Sequence, residues 1–93
     1  MISIKNESKF FQDIYAGNYQ AVVDELNKFP MMLEMISSPA CLLATPILVA
    51  ANSGQVAIFE LLKRKGANLA RLDALGNNLL IHAVASNNDE MIA

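Results

Sequence analysis

An internal repeat constrains this chain more than any other feature. The segment Thr45-Pro46-Ile47-Leu48-Val49-Ala50-Ala51-Asn52-Ser53-Gly54 aligns with Asn78-Leu79-Leu80-Ile81-His82-Ala83-Val84-Ala85-Ser86-Asn87 at a constant offset of 33 residues. Ile47 pairs with Leu80, Leu48 with Ile81, Ala50 with Ala83 and Ser53 with Ser86; further on, Ile58 and Phe59 pair with Met91 and Ile92. A fixed period of this size implies stacked supersecondary units. One unit cannot bury its own apolar face and needs a neighbour to do so.

The local signals within a unit describe two helices and a loop. Thr45 is a good N-cap, and Pro46 suits the first helical position, where its missing N–H costs nothing. Ile47, Leu48, Ala50 and Ala51 can cover a helix face, and the alanines let a neighbouring helix approach closely. Asn52-Ser53-Gly54 breaks that helix. A second helix is expected from about Gln55 to Lys65, with Ile58, Leu61 and Leu62 at i, i+3 and i+4 and Gly66 just past its end. Residues 67–77 carry Asn68, Asp73, Gly76 and Asn77, a turn-rich composition that suits a loop.

The period of 33 and the run Thr45-Pro46-Ile47-Leu48-Val49-Ala50-Ala51 with Gly54 are similar to the ankyrin-repeat family. So are Ile58-Phe59-Glu60-Leu61-Leu62, Gly66-Ala67-Asn68-Leu69, Asp73 and Gly76; the resemblance covers 45–93. It implies an all-α ankyrin-repeat solenoid of stacked helix-turn-helix units, each with a projecting finger loop. It also implies protein partners bound by finger tips and by the inner helix face. Carried onto this sequence, those positions are Arg71, Ala74, Leu75 and Asn77 in the finger, and Val49, Asn52, Ser53, His82, Ala85 and Ser86 on the inner helices. Leu72 stands between an inward and an outward reading, and Asp73 and Gly76 read as loop-forming. The family places a histidine after Thr-Pro-Leu; here that slot holds Leu48 and Ile81, and His82 falls one position later, where the family is variable and often faces the groove.

Upstream the pattern loosens. Phe10, Phe11, Ile14 and Tyr15 have helical spacing over 9–16, with Ser8 placed to cap, and Gly17 would correspond to Gly54. The offset there is 37 rather than 33. The extra chain falls in the stretch from Pro30 to Pro39, two prolines around an apolar run, expected to form a short helix in place of a finger. The chain thus reads as one domain, 1–93: an atypical capping repeat over 8–44, a full repeat over 45–77 and a truncated one over 78–93. Asn87-Asn88-Asp89-Glu90 reads as a helix start, so a longer parent array is expected.

Composition narrows the function. The chain is 54% apolar and 17% charged with a net charge of −2, and its pI is about 5.2. Such a balance excludes a disordered chain and offers no basic stripe for nucleic acid. The cluster Lys63-Arg64-Lys65 suits a helix C-terminus. The single cysteine, Cys41, lies in an apolar run; no disulfide pairing or zinc spacing is present, which fits a reducing compartment. No apolar run reaches the ~20 residues a membrane span needs, and the first residues do not form a signal peptide. The expected location is cytoplasmic, or the host cytosol if the chain is a bacterial effector.

Nothing in the residues calls for catalysis, a metal or a cofactor. His82 has no second ligand in view and reads as a surface or groove residue. The pairs Asp24-Glu25 and Asp89-Glu90 are adjacent, so on a helix they do not face each other. Met31, Met32 and Met35 read as plastic core packing, with a partner-binding surface as the alternative. The expected function is a protein–protein interaction module without catalysis of its own. The alternative is a targeting segment of a larger enzyme or secreted effector. One end of the stack, around Leu79, Leu80, Ile81, Met91 and Ile92, has no cap, and self-association through it is expected.

Overall fold

The structure, a computed structural model, describes residues 7–39 and 42–85. Among these residues the secondary structure is helical, without a strand. The elements are α1 (Lys9–Ala16), α2 (Tyr19–Lys28), a 3-10 helix (Pro30–Glu34), α3 (Pro46–Asn52), α4 (Val56–Arg64) and α5 (Leu79–Ala85). No helix of the described residues is long and apolar enough to cross a membrane. Cys41, Ser86 and the expected helix start at Asn87–Glu90 lie outside the described residues.

Two of the helix pairs are built the same way. Between α1 and α2, Gly17 takes a left-handed φ of 83°; its N–H donates to Ile14 O, and the next N–H, of Asn18, donates to Asp13 O. Between α3 and α4, Gly54 takes a φ of 72°, and the N–H groups of Gly54 and Gln55 donate to Ala51 O and Ala50 O. The same bonds recur at the end of α4, where the N–H groups of Gly66 and Ala67 donate to Lys63 O and Leu62 O, so they mark a general glycine helix ending. A side chain at the first turn would be strained twice. A Cβ on Gly17 would meet Gln55 Oε1 at 2.7 Å, and Gln55 Nε2 is itself engaged with Tyr15 O.

Helix α3 is apolar on every side except at its last residue, and a helix of that kind must be covered all round. It packs against α1, α4 and α5. Ile47, Leu48, Val49, Ala50 and Ala51 are buried, joined in one core with Phe10, Phe11, Ile14, Val22, Leu26, Ile58, Phe59, Leu61 and Leu62. Each large aliphatic side chain among them stabilises the fold by about 1.5–3 kcal/mol relative to exposure. The Phe10 and Phe11 rings meet edge to face at a centroid distance of 6.1 Å.

The helix termini differ from the sequence reading in two places. Thr45 occupies the N-cap position of α3, but its hydroxyl makes no capping bond and is buried without a hydrogen-bond partner. Ser8 likewise precedes α1 without a side-chain cap. At α5 the cap is present: Asn78 Oδ1 accepts from the Ile81 N–H at 2.9 Å. Lys63 and Arg64 lie in the last turn of α4, where cations meet the negative end of the helix dipole.

The Pro30–Pro39 stretch opens with the 3-10 helix and continues as irregular chain. Its methionines divide. Met32 and Met35 pack against the core, whereas Met31 is 72% exposed. The N-terminal segment is tied to this stretch by Glu7, whose carboxylate accepts from the Ser38 N–H at 3.2 and 3.3 Å and from the Ser38 hydroxyl.

Candidate interaction surface

The loop before α5 is ordered by one buried carboxylate. Asp73 Oδ1 accepts from the N–H groups of Leu75 and Asn77, and Oδ2 accepts from Asn77 Nδ2 and faces His82 Nε2 at 2.8 Å. The Asp73 N–H donates to Asn77 O, and the Gly76 N–H donates to Asp73 O. Gly76, at a φ of 79°, makes the reversal possible. Burial works against the charged form of Asp73, but the hydrogen bonds from Asn77, His82 and Leu75 outweigh it, and its carboxyl lies below the ordinary range.

His82 extends this arrangement into the preceding helix pair. Its Nδ1 lies 3.2 Å from Asn52 Nδ2 on α3. With Asn52 as donor, Nδ1 accepts and Nε2 carries the proton toward Asp73, so one neutral imidazole satisfies both neighbours. The chain Asn52–His82–Asp73 therefore links α3, α5 and the loop before α5.

The loop before α3 is closed by its own backbone. The Ser37 N–H donates to Ala44 O, the Leu43 N–H to Ser38 O and the Leu42 N–H to Pro39 O, while Ser37 Oγ accepts from the Ala44 N–H at 2.8 Å. Leu42 and Leu43 both take left-handed φ angles, 62° and 51°. Such angles are uncommon for leucine and persist only where the surroundings enforce them. The two loops meet directly: the Ala74 N–H donates to Leu42 O at 2.7 Å. Exposed leucines flank this bond in sequence, Leu43 on one loop and Leu72 and Leu75 on the other, with Leu75 69% exposed.

The expected partner-binding residues divide accordingly. Ala74 and Leu75 are exposed, and Arg71 is half-buried. Asn77 is half-buried and spends its amide on Asp73. Asn52 is engaged with His82, and the Ser53 hydroxyl donates back to Val49 O at 2.8 Å. Val49 and His82 are buried and do not line a surface. The two occupy equivalent slots, 33 residues apart, on the covered side of their helices. The reading of His82 as a surface or groove residue is therefore corrected. Leu72 is exposed, and so is Leu43, which lies in an apolar run that carries no signal separating it from its partly buried neighbour Leu42. Ser86 lies outside the described residues.

Elsewhere, a cleft of about 190 Å³ is lined by Leu26, Asn27, Pro30, Leu33 and Lys65. Lys65 is its one ionisable group, so it offers no acid–base pair. Among the described residues, no group of three or more histidines, cysteines or carboxylates is placed to hold a metal ion. No protein-family model, curated protein or solved structure matches the chain.

Proposed function

We propose that the chain is a protein-binding module of the ankyrin-repeat kind, which presents its loops to a partner and has no catalysis of its own. Supporting the family reading are the succession of short helix pairs α1–α2 and α3–α4, and the starts of α3 and α5 at Pro46 and Leu79, 33 residues apart. The contact between successive loops through Ala74 and Leu42 fits fingers lying side by side.

One observation carries the functional reading: the Asp73 carboxylate braces its loop through hydrogen bonds from Leu75 and Asn77 while the Leu75 side chain stands in solvent. Exposed apolar side chains on a braced backbone lose little conformational entropy when a partner covers them. Leu43, Leu72, Ala74 and Leu75 form the proposed contact surface, and a reducing intracellular compartment is its proposed setting.

The test is affinity capture from cells that express the protein, with the wild-type chain and with Leu75→Glu and Leu43→Glu. Loss of a captured protein with both variants, at unchanged thermal unfolding, supports the reading. Unchanged capture by both contradicts it.

A further inference from the structure

Helix α5 repeats α3 in sequence but not in burial. Leu80, Ile81 and Val84 are 55%, 47% and 57% exposed. Their equivalents one period earlier, Ile47, Leu48 and Ala51, are 1%, 1% and 0% exposed. The difference has a visible cause. Helix α3 lies between α1 and α5, whereas among the described residues α3 is the one helix with extensive contact to α5. The molecule itself therefore shows what such a face takes: an apolar helix of the α3 or α5 kind.

The opposite end of the stack is different. The exposed residues of α1 include Lys9, Gln12 and Tyr15, and Lys9 pairs with Asp13 at 2.6 Å. Docking that face onto Leu80, Ile81 and Val84 would desolvate Lys9 and Gln12 against hydrocarbon, which is unfavourable. Two α5 faces bury apolar surface against apolar surface and place no charge inside. A contact of a face with itself is isologous and closes at two copies.

We propose that the exposed face of α5 is a docking surface for a second copy of this chain, α5 against α5 about a two-fold axis. The contact continues the α3–α5 packing across a molecular boundary. A seven-residue helix offers a small patch, in the range of weak, reversible interfaces that bury under about 1,200 Å² in total.

Sedimentation equilibrium of the 93-residue chain over a concentration series tests this. The expected result is a monomer–dimer equilibrium that stops at two copies. Leu80→Glu should raise the dissociation constant at least about tenfold, because its charge would be buried at the contact. Val84→Asp should do the same, and circular dichroism identifies whichever variant keeps the fold. Leu75→Glu, on the separate loop surface, should leave the dimer unchanged. A monomer at the highest concentration, which is the outcome if a further segment of the same polypeptide covers α5, overturns the proposal. So does a mass that keeps rising past the dimer, or a dimer unaffected by a folded α5 variant.

Discussion

His82 Nε2 lies 2.8 Å from Asp73 Oδ2, and the contact is fully enclosed by the fold. The imidazole takes the slot that Val49 fills one period earlier, but it supplies two hydrogen bonds in addition to volume. His82→Ala should cost about 2–4 kcal/mol, from the void and from the buried carboxylate left one donor short. A double-mutant cycle with Asp73→Asn should give a coupling of at least about 1 kcal/mol in urea unfolding. Additive effects would show that the pair is not energetically linked.

Asp73 also predicts an acid limb. Its carboxyl is lowered from the ordinary value of 3.8, burial notwithstanding, by bonds from Asn77, His82 and Leu75. A carboxylate depressed in the folded state contributes stability that is fully present above the unfolded value. That stability is lost as pH falls through the lower folded value. Asp13 behaves alike: burial opposes its charge, but Lys9 and Asn18 outweigh it. The contribution of these two carboxylates should be level above about pH 5 and fall below about pH 4. Asp73→Asn should flatten that fall, measured as urea midpoints across the range; an unchanged slope would remove Asp73 from the account.

Thr45→Val separates two roles for one hydroxyl. If the side chain capped α3, its removal would cost about 1 kcal/mol. The Thr45 Oγ1 atom is instead buried without a partner, so the apolar isostere should be neutral or stabilising by up to about 2 kcal/mol. Thermal unfolding of the variant decides between them, and a lowered midpoint would restore the cap.

The helices and turns were legible because their causes are local. Apolar spacing placed α1, α3 and α4 within a residue or so, and Gly17 and Gly54 marked turns that need left-handed backbone. The side-chain network was not legible. Asp73 and Gly76 read as loop-forming, but nothing near His82 in sequence announces Asn52, which stands 30 residues away. Val49 was misplaced for a related reason: α3 is covered by α1, α4 and α5, and only the assembled stack shows that no side of its middle turn is free. Leu42 and Leu43 share a left-handed φ, yet the first packs against the core and the second is exposed, a division that periodicity does not encode.

The most direct test of the proposed interaction surface is site-specific photocrosslinking in the cells that express the protein. A photoreactive residue at Leu75, on the loop braced by Asp73, should capture a discrete partner polypeptide. The same residue at Gln12, on the polar face of α1, should not. Equal capture from both positions, or none from Leu75 while Gln12 yields a product, would contradict a partner surface built on the loops.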